Sequence, residues 1–156
     1  MSRRRIVALG VALAVQLALL AAVAGPRLAV RLTGTEYRLA VEPLDPIDPL
    51  RGAYVDLRVR GVPSFTEREG TVFVLLRPTR GGGGGLLRGS GTVGEEAPAG
   101  GPYLRCAADG SVSCGIESFF ASQGDARRLG ARVAGKGGVA RVKVGLGGRA
   151  VLVGLE

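Results

Sequence analysis

The chain has 156 residues, 46% of them hydrophobic, with 27 Gly, 8 Pro, 2 Cys and no His or Trp, the size of one modest domain. Without histidine there is no Ser-His-Asp or Cys-His site, no His-ligated zinc and no histidine general base; two cysteines cannot make a four-thiolate site, so no metal or cofactor is implied. The formal charge is +8, but 16 of the 21 basic residues follow Arg31 interspersed with all 13 acids, and with 3 Tyr and 4 Phe in all the chain lacks the clustered charge and stacking platform of a nucleic-acid binder.

The first element is apolar. Residues 6–25, IVALGVALAVQLALLAAVAG, carry no charge and one polar side chain, Gln16. As a helix they span about 30 Å, the hydrocarbon thickness of a bilayer. Arg3, Arg4 and Arg5 precede them, and positive flanks stay on the cytoplasmic side. The prediction is a cytoplasmic basic tail over residues 1–5, a single-pass transmembrane anchor over 6–25 and an extracytoplasmic domain over 34–156. A cleaved signal peptide competes, because Ala22-Val23-Ala24 offers a small-x-small site; the run is longer than the roughly 7–15 residues of a signal-peptide core, which favours an uncleaved anchor. A buried core helix is disfavoured, since the apolar residues cover every face without an amphipathic stripe.

Beyond the anchor, short β-type runs are broken by Gly and Pro. Tyr37 to Val41 is the first. Pro43 to Asp56 follows, PLDPIDPLRGAYVD, where three prolines give an extended, rigid lead-in and Gly52 permits a sharp entry into a strand. In Ala53 to Arg60, Ala53, Val55, Leu57 and Val59 fall on one face and Tyr54, Asp56, Arg58 and Arg60 on the other, the pattern of a half-buried strand. Thr71 to Arg77 is more continuously apolar and reads as a central strand. Residues 78–102, with five consecutive glycines at Gly81 to Gly85, are too poor in apolar side chains to offset their ordering entropy and read as a flexible loop; neither a following helix start nor a placed Lys makes them a phosphate loop.

Tyr103 to Phe120 reads as a hairpin turning at Ala108-Asp109-Gly110. Cys106 and Cys114 would then face each other, and in an oxidising compartment they are disulfide candidates. Ser122 to Val133 has a helical pattern with Ser122 or Asp125 as N-cap. Ala140 to Val144 and Ala150 to Leu155, joined by Gly-Leu-Gly-Gly-Arg, form a closing hairpin. The fold class is all-β, a small barrel or sandwich with one short helix, behind a single N-terminal transmembrane helix.

One polar constellation is dense: Asp45, Asp48, Arg51, Tyr54 and Asp56 fall within a dozen residues. Asp45 and Asp48 suit a carboxylate pair acting on a glycan, or a hard-cation site. In the plainer reading the aspartates cap turns and Arg51 pairs with a carboxylate to hold the loop against the sheet.

Here the chain resembles a family. The run Asp45-Pro46-Ile47-Asp48-Pro49-Leu50-Arg51-Gly52-Ala53-Tyr54-Val55-Asp56-Leu57-Arg58-Val59 is similar to the signature of the family named for its Gly-Asp-Tyr-x-x-Leu-x-Tyr motif (GDYXXLXY). A second block, Gly115-Ile116-Glu117-Ser118-Phe119-Phe120, is similar to that family's Gly-Ile-Glu-x-Tyr-Phe segment. Ala53 stands where the motif has Asp, and Val59 where it has its last Tyr, departures that argue against catalysis here more than against the fold. The resemblance implies a membrane-anchored protein of unassigned reaction, and a multi-pass membrane protein as partner. The resulting expectation is a bacterial membrane-anchored binding or accessory domain that contacts the bilayer through residues 6–25 and an integral membrane partner through Asp45, Asp48, Arg51, Gly52 and Tyr54. Glu117 is the expected counter-charge of Arg51, and no residue is assigned as catalytic. A hydrolase acting on cell-wall material through Asp45, Asp48 or Glu117, or a purely structural envelope component, are the alternatives.

Overall fold

The computed structural model describes residues 3–45, 54–79, 85–120 and 137–156. Helix α1, Arg3–Thr33, leads into eight strands among them: β1 Thr35–Asp45, β2 Tyr54–Val59, β3 Phe65–Pro78, β4 Leu86–Gly89, β5 Tyr103–Ser113, β6 Ser118–Phe120, β7 Gly138–Val144 and β8 Ala150–Leu155, with one 3-10 turn at Leu146–Gly148. The chain is thus all-β with one N-terminal apolar helix, and the sheet curls into a half-barrel. The helix predicted over Ser122 to Val133 lies outside the described residues.

Among the described residues α1 is the one helix long and apolar enough to cross a membrane. Its large side chains are exposed on every face, from Val7 and Leu9 to Leu20 and Val23, as expected of a surface whose solvent is hydrocarbon. At 31 residues it is about 46 Å long, about two turns beyond what the predicted span of 20 residues and its basic head require. The excess docks on the domain. Val30 is buried against Gly145, where a Cβ would approach Val30 Cγ2 to 2.8 Å. Lys143 Nζ donates to the Arg31 carbonyl at 2.8 Å, and Gly34 N–H closes the helix on the Val30 carbonyl at 2.8 Å.

Strand β1 organises the sheet. One edge pairs antiparallel with β7 at every residue from Thr35 to Val41, and β7 continues into β8. The other edge is shared: Arg38 and Leu39 pair parallel with β4, then Val41 to Asp45 pair antiparallel with β2. β4 passes on to β3 and β3 to β5, while β2 passes to β6. Period-2 alternation puts one face inward: Val72, Val74 and Leu76 of β3, Leu104, Cys106 and Ala108 of β5, and Ala140, Val142 and Val144 of β7 are buried with Leu39, Val41, Leu57 and Val59. Complete burial of Leu39, Leu57 and Leu104 stabilises the fold by about 1.5–3 kcal/mol each. On the outer face Arg38 and Arg141 pair with Glu156 at 3.0 and 3.5 Å, and Arg60 with Glu42 at 2.8 Å, exposed pairs that set solubility more than stability.

Two strand-level expectations are corrected. Residues 78–102 are not a structureless loop throughout: β4 lies inside them, and Gly94 bridges to Phe73. The reason is backbone pairing, which composition does not register. Gly89 N–H donates to the Arg60 carbonyl and Gly91 N–H to the Gly61 carbonyl, both at 2.8 Å, and Gly61 and Gly89 approach so closely that a Cβ on either would strike the other's backbone. Nor is Tyr103 to Phe120 a hairpin paired to itself. β5 pairs with β3 from Tyr103 to Ser111, and a bulge in β3 between Phe65 and Glu69 follows its bend. β6 pairs instead with β2. A turn dipeptide within a strand bends it when the neighbouring strand can bulge to match.

Candidate functional site

The two motif blocks, some sixty residues apart in sequence, become adjacent strands. Tyr54 lies opposite Phe120, Val55 opposite Phe119 and Asp56 opposite Ser118, and Leu57 N–H donates to the Glu117 carbonyl at 2.6 Å. Alternation in β2 explains the placement: with Leu57 and Val59 in the core, Asp56 and Arg58 face outward.

A polar network closes this corner. Glu117 accepts from the backbone N–H of Cys114 and from the Ser113 hydroxyl, the latter at 3.3 Å. Asp56 Oδ1 accepts from the Ser118 hydroxyl at 3.1 Å. Cys106 and Cys114 are joined in a disulfide, both buried, so the turn that carries Glu117 is tied to the middle of β5. Beside the network runs a groove of about 310 Å3, whose walls include Asp56, Val62, Phe65, Ser111, Val112 and Glu117. Phe65 is 79% exposed at its side.

These groups limit the chemistry. Each carboxylate holds a serine hydroxyl as acceptor, and neither hydroxyl has a base–orienter chain behind it of the kind that activates a nucleophile. Among the described residues no three His, Cys, Asp or Glu side chains converge to hold a metal ion. The groove thus combines fixed carboxylate acceptors with an exposed aromatic at its wall.

The structure brings some predicted site residues together. Asp45 ends β1 opposite Asp56 across a register shift, Tyr54 opens β2, and Glu117 stands before β6, so the three belong to one corner of the sheet. Asp48, Arg51 and Gly52 lie outside the described residues. Glu117 accepts from Cys114 and Ser113, and its expected pairing with Arg51 involves a residue outside the described ones. Asp56 and Phe65, which the predicted set left out, line the same groove. Asp56 was legible as part of the motif run, whereas Phe65 carries no sequence signal, because its place depends on the β3–β5 register.

Comparison with known proteins gives one match: the family model described as GDYXXLXY protein aligns with residues 16–155. No curated protein and no solved structure matches the chain.

Proposed function

The chain belongs to the GDYXXLXY protein family, and on that premise we propose that it is a membrane-anchored extracytoplasmic binding or accessory domain that associates with an integral membrane protein. Support for the anchor comes from the uncharged run 6–25 within α1, apolar on every face, with the helix leading through Gly34 into the first strand. The orientation follows from Arg3, Arg4 and Arg5 ahead of the span. The observation that carries the binding reading is the convergence of both motif blocks on one groove built for contact. The residues between Asp45 and Tyr54, Arg51 among them, are the proposed contact, together with the groove beside Glu117.

Crosslinking and detergent co-purification from native membranes, read by mass spectrometry, test this. The intact protein captures a stoichiometric multi-pass partner, and Arg51→Ala loses it while keeping its melting temperature. Capture of no membrane protein, or equal capture by the variant, overturns the reading.

A further inference from the structure

A second groove lies where the helix meets the domain. It encloses about 460 Å3, within the range of about 300–1,000 Å3 of small-molecule sites. Three arginines from separate segments line it: Arg27 on α1, Arg105 on β5 and Arg149 ahead of β8. Among the described residues no acid lines it and none of the three pairs with a carboxylate. Arg105 reaches only the neutral Thr71 hydroxyl, at 3.4 Å. Three like charges in one partly enclosed space repel one another unless an anion lies between them.

The helix sets the depth of this groove. Ala22 and Val23, in the last turn of the apolar run, line it beside Arg27. Pro26 lies within α1 and cannot donate to the Ala22 carbonyl, so a backbone acceptor is released at the same level, where a bilayer gives way to its headgroups. The arginines therefore stand at headgroup depth and the small apolar side chains at the depth of the first acyl carbons. We propose that this groove binds the phosphate of an anionic phospholipid of the adjoining leaflet, the guanidinium groups holding phosphate oxygens through charge-assisted hydrogen bonds and the acyl chains lying along Ala22 and Val23. This rests on the anchor reading above.

The test uses the full chain in nanodiscs of phosphatidylcholine mixed with phosphatidylglycerol, released for native mass spectrometry. The wild type retains one phosphatidylglycerol in preference to phosphatidylcholine. Each of Arg27→Gln, Arg105→Gln and Arg149→Gln lowers retention about tenfold, equivalent to about 1.4 kcal/mol, and the triple variant abolishes it. Melting temperatures identify any variant that has failed to fold, and the remaining single variants then decide. Equal retention of both lipids, retention unchanged in the folded variants, or displacement of the lipid by excess inorganic phosphate overturns the proposal, the last by showing a free-anion site. Alkaline extraction of the same membranes is scored separately: release of the chain overturns the anchor reading, while the lipid adduct still decides the groove.

Discussion

Glu117 shows how one side chain fixes a corner. Its carboxylate accepts the Cys114 N–H and the Ser113 hydroxyl, and its own carbonyl receives Leu57 N–H, so β5, the turn and β2 are held through one residue. Glu117→Ala leaves a part-buried backbone N–H without its acceptor and is expected to destabilise the domain by about 1–3 kcal/mol, seen as a lower melting temperature of the full chain in detergent micelles. The disulfide acts on the same turn by constraining the unfolded chain. For the nine-residue loop from Cys106 to Cys114, Cys106→Ala together with Cys114→Ala should cost about 2–3 kcal/mol by the chain-entropy model, measured by the same unfolding in parallel with the reduced wild type. The two cysteines and Glu117 were all legible in sequence; that they serve one turn was not, because a hydrogen-bond acceptor is assigned by register and not by spacing.

At the scale of elements, what the sequence disclosed depended on whether a side-chain pattern carried the information. β7 alternates Gly138, Ala140, Val142 and Val144 inward, and its pairing with β8 follows the predicted closing hairpin. β2 was legible for the same reason, with Leu57 and Val59 on the buried face, and Thr71 to Arg77 of β3 through its continuous apolar run, while the start of β3 at Phe65 was not. β4 has no such signal: its register with β1 and β3 is made by main-chain bonds and by the absence of a Cβ at Gly61 and Gly89. Gly89→Val places a side chain 2.6 Å from the Gly61 carbonyl carbon and 2.8 Å from Val62 N. The expected outcome is release of β4 alone, read as faster amide exchange at Leu86–Gly89 while Val139–Val144 stay protected. Equal deprotection of β7 would mean that β4 is integral to the core. The groove arginines were illegible for a related reason, since Arg27, Arg105 and Arg149 belong to no run and meet only through the fold.

In the whole molecule the anchor and the domain form one packed unit. Val30 against Gly145 and Lys143 on the Arg31 carbonyl are contacts that a merely tethered domain would not make. Gly145→Val crowds Val30 and should undock the end of α1 without unfolding the sheet. The check is limited proteolysis in micelles: cleavage between Arg27 and Thr35 rises several-fold, with the melting temperature little changed. Undocking also opens the wall of the arginine groove, so the same variant is expected to retain less phosphatidylglycerol.

The path of the main chain has a mechanical side. β1 leaves α1 at Thr35 and ends at Asp45, beside the residues proposed to meet the partner, so on that proposal a pull between bilayer and partner runs along this strand. Both edges of β1 are paired, with β7 on one side and with β4 and β2 on the other, and their hydrogen bonds lie across the direction of the pull. Because both points of attachment lie on one strand, such a load is carried by the covalent backbone of β1, and the bonds to β7, β4 and β2 hold the strand in register without bearing the pull. On the proposed function, tension between membrane and partner would therefore leave the rest of the sheet unloaded.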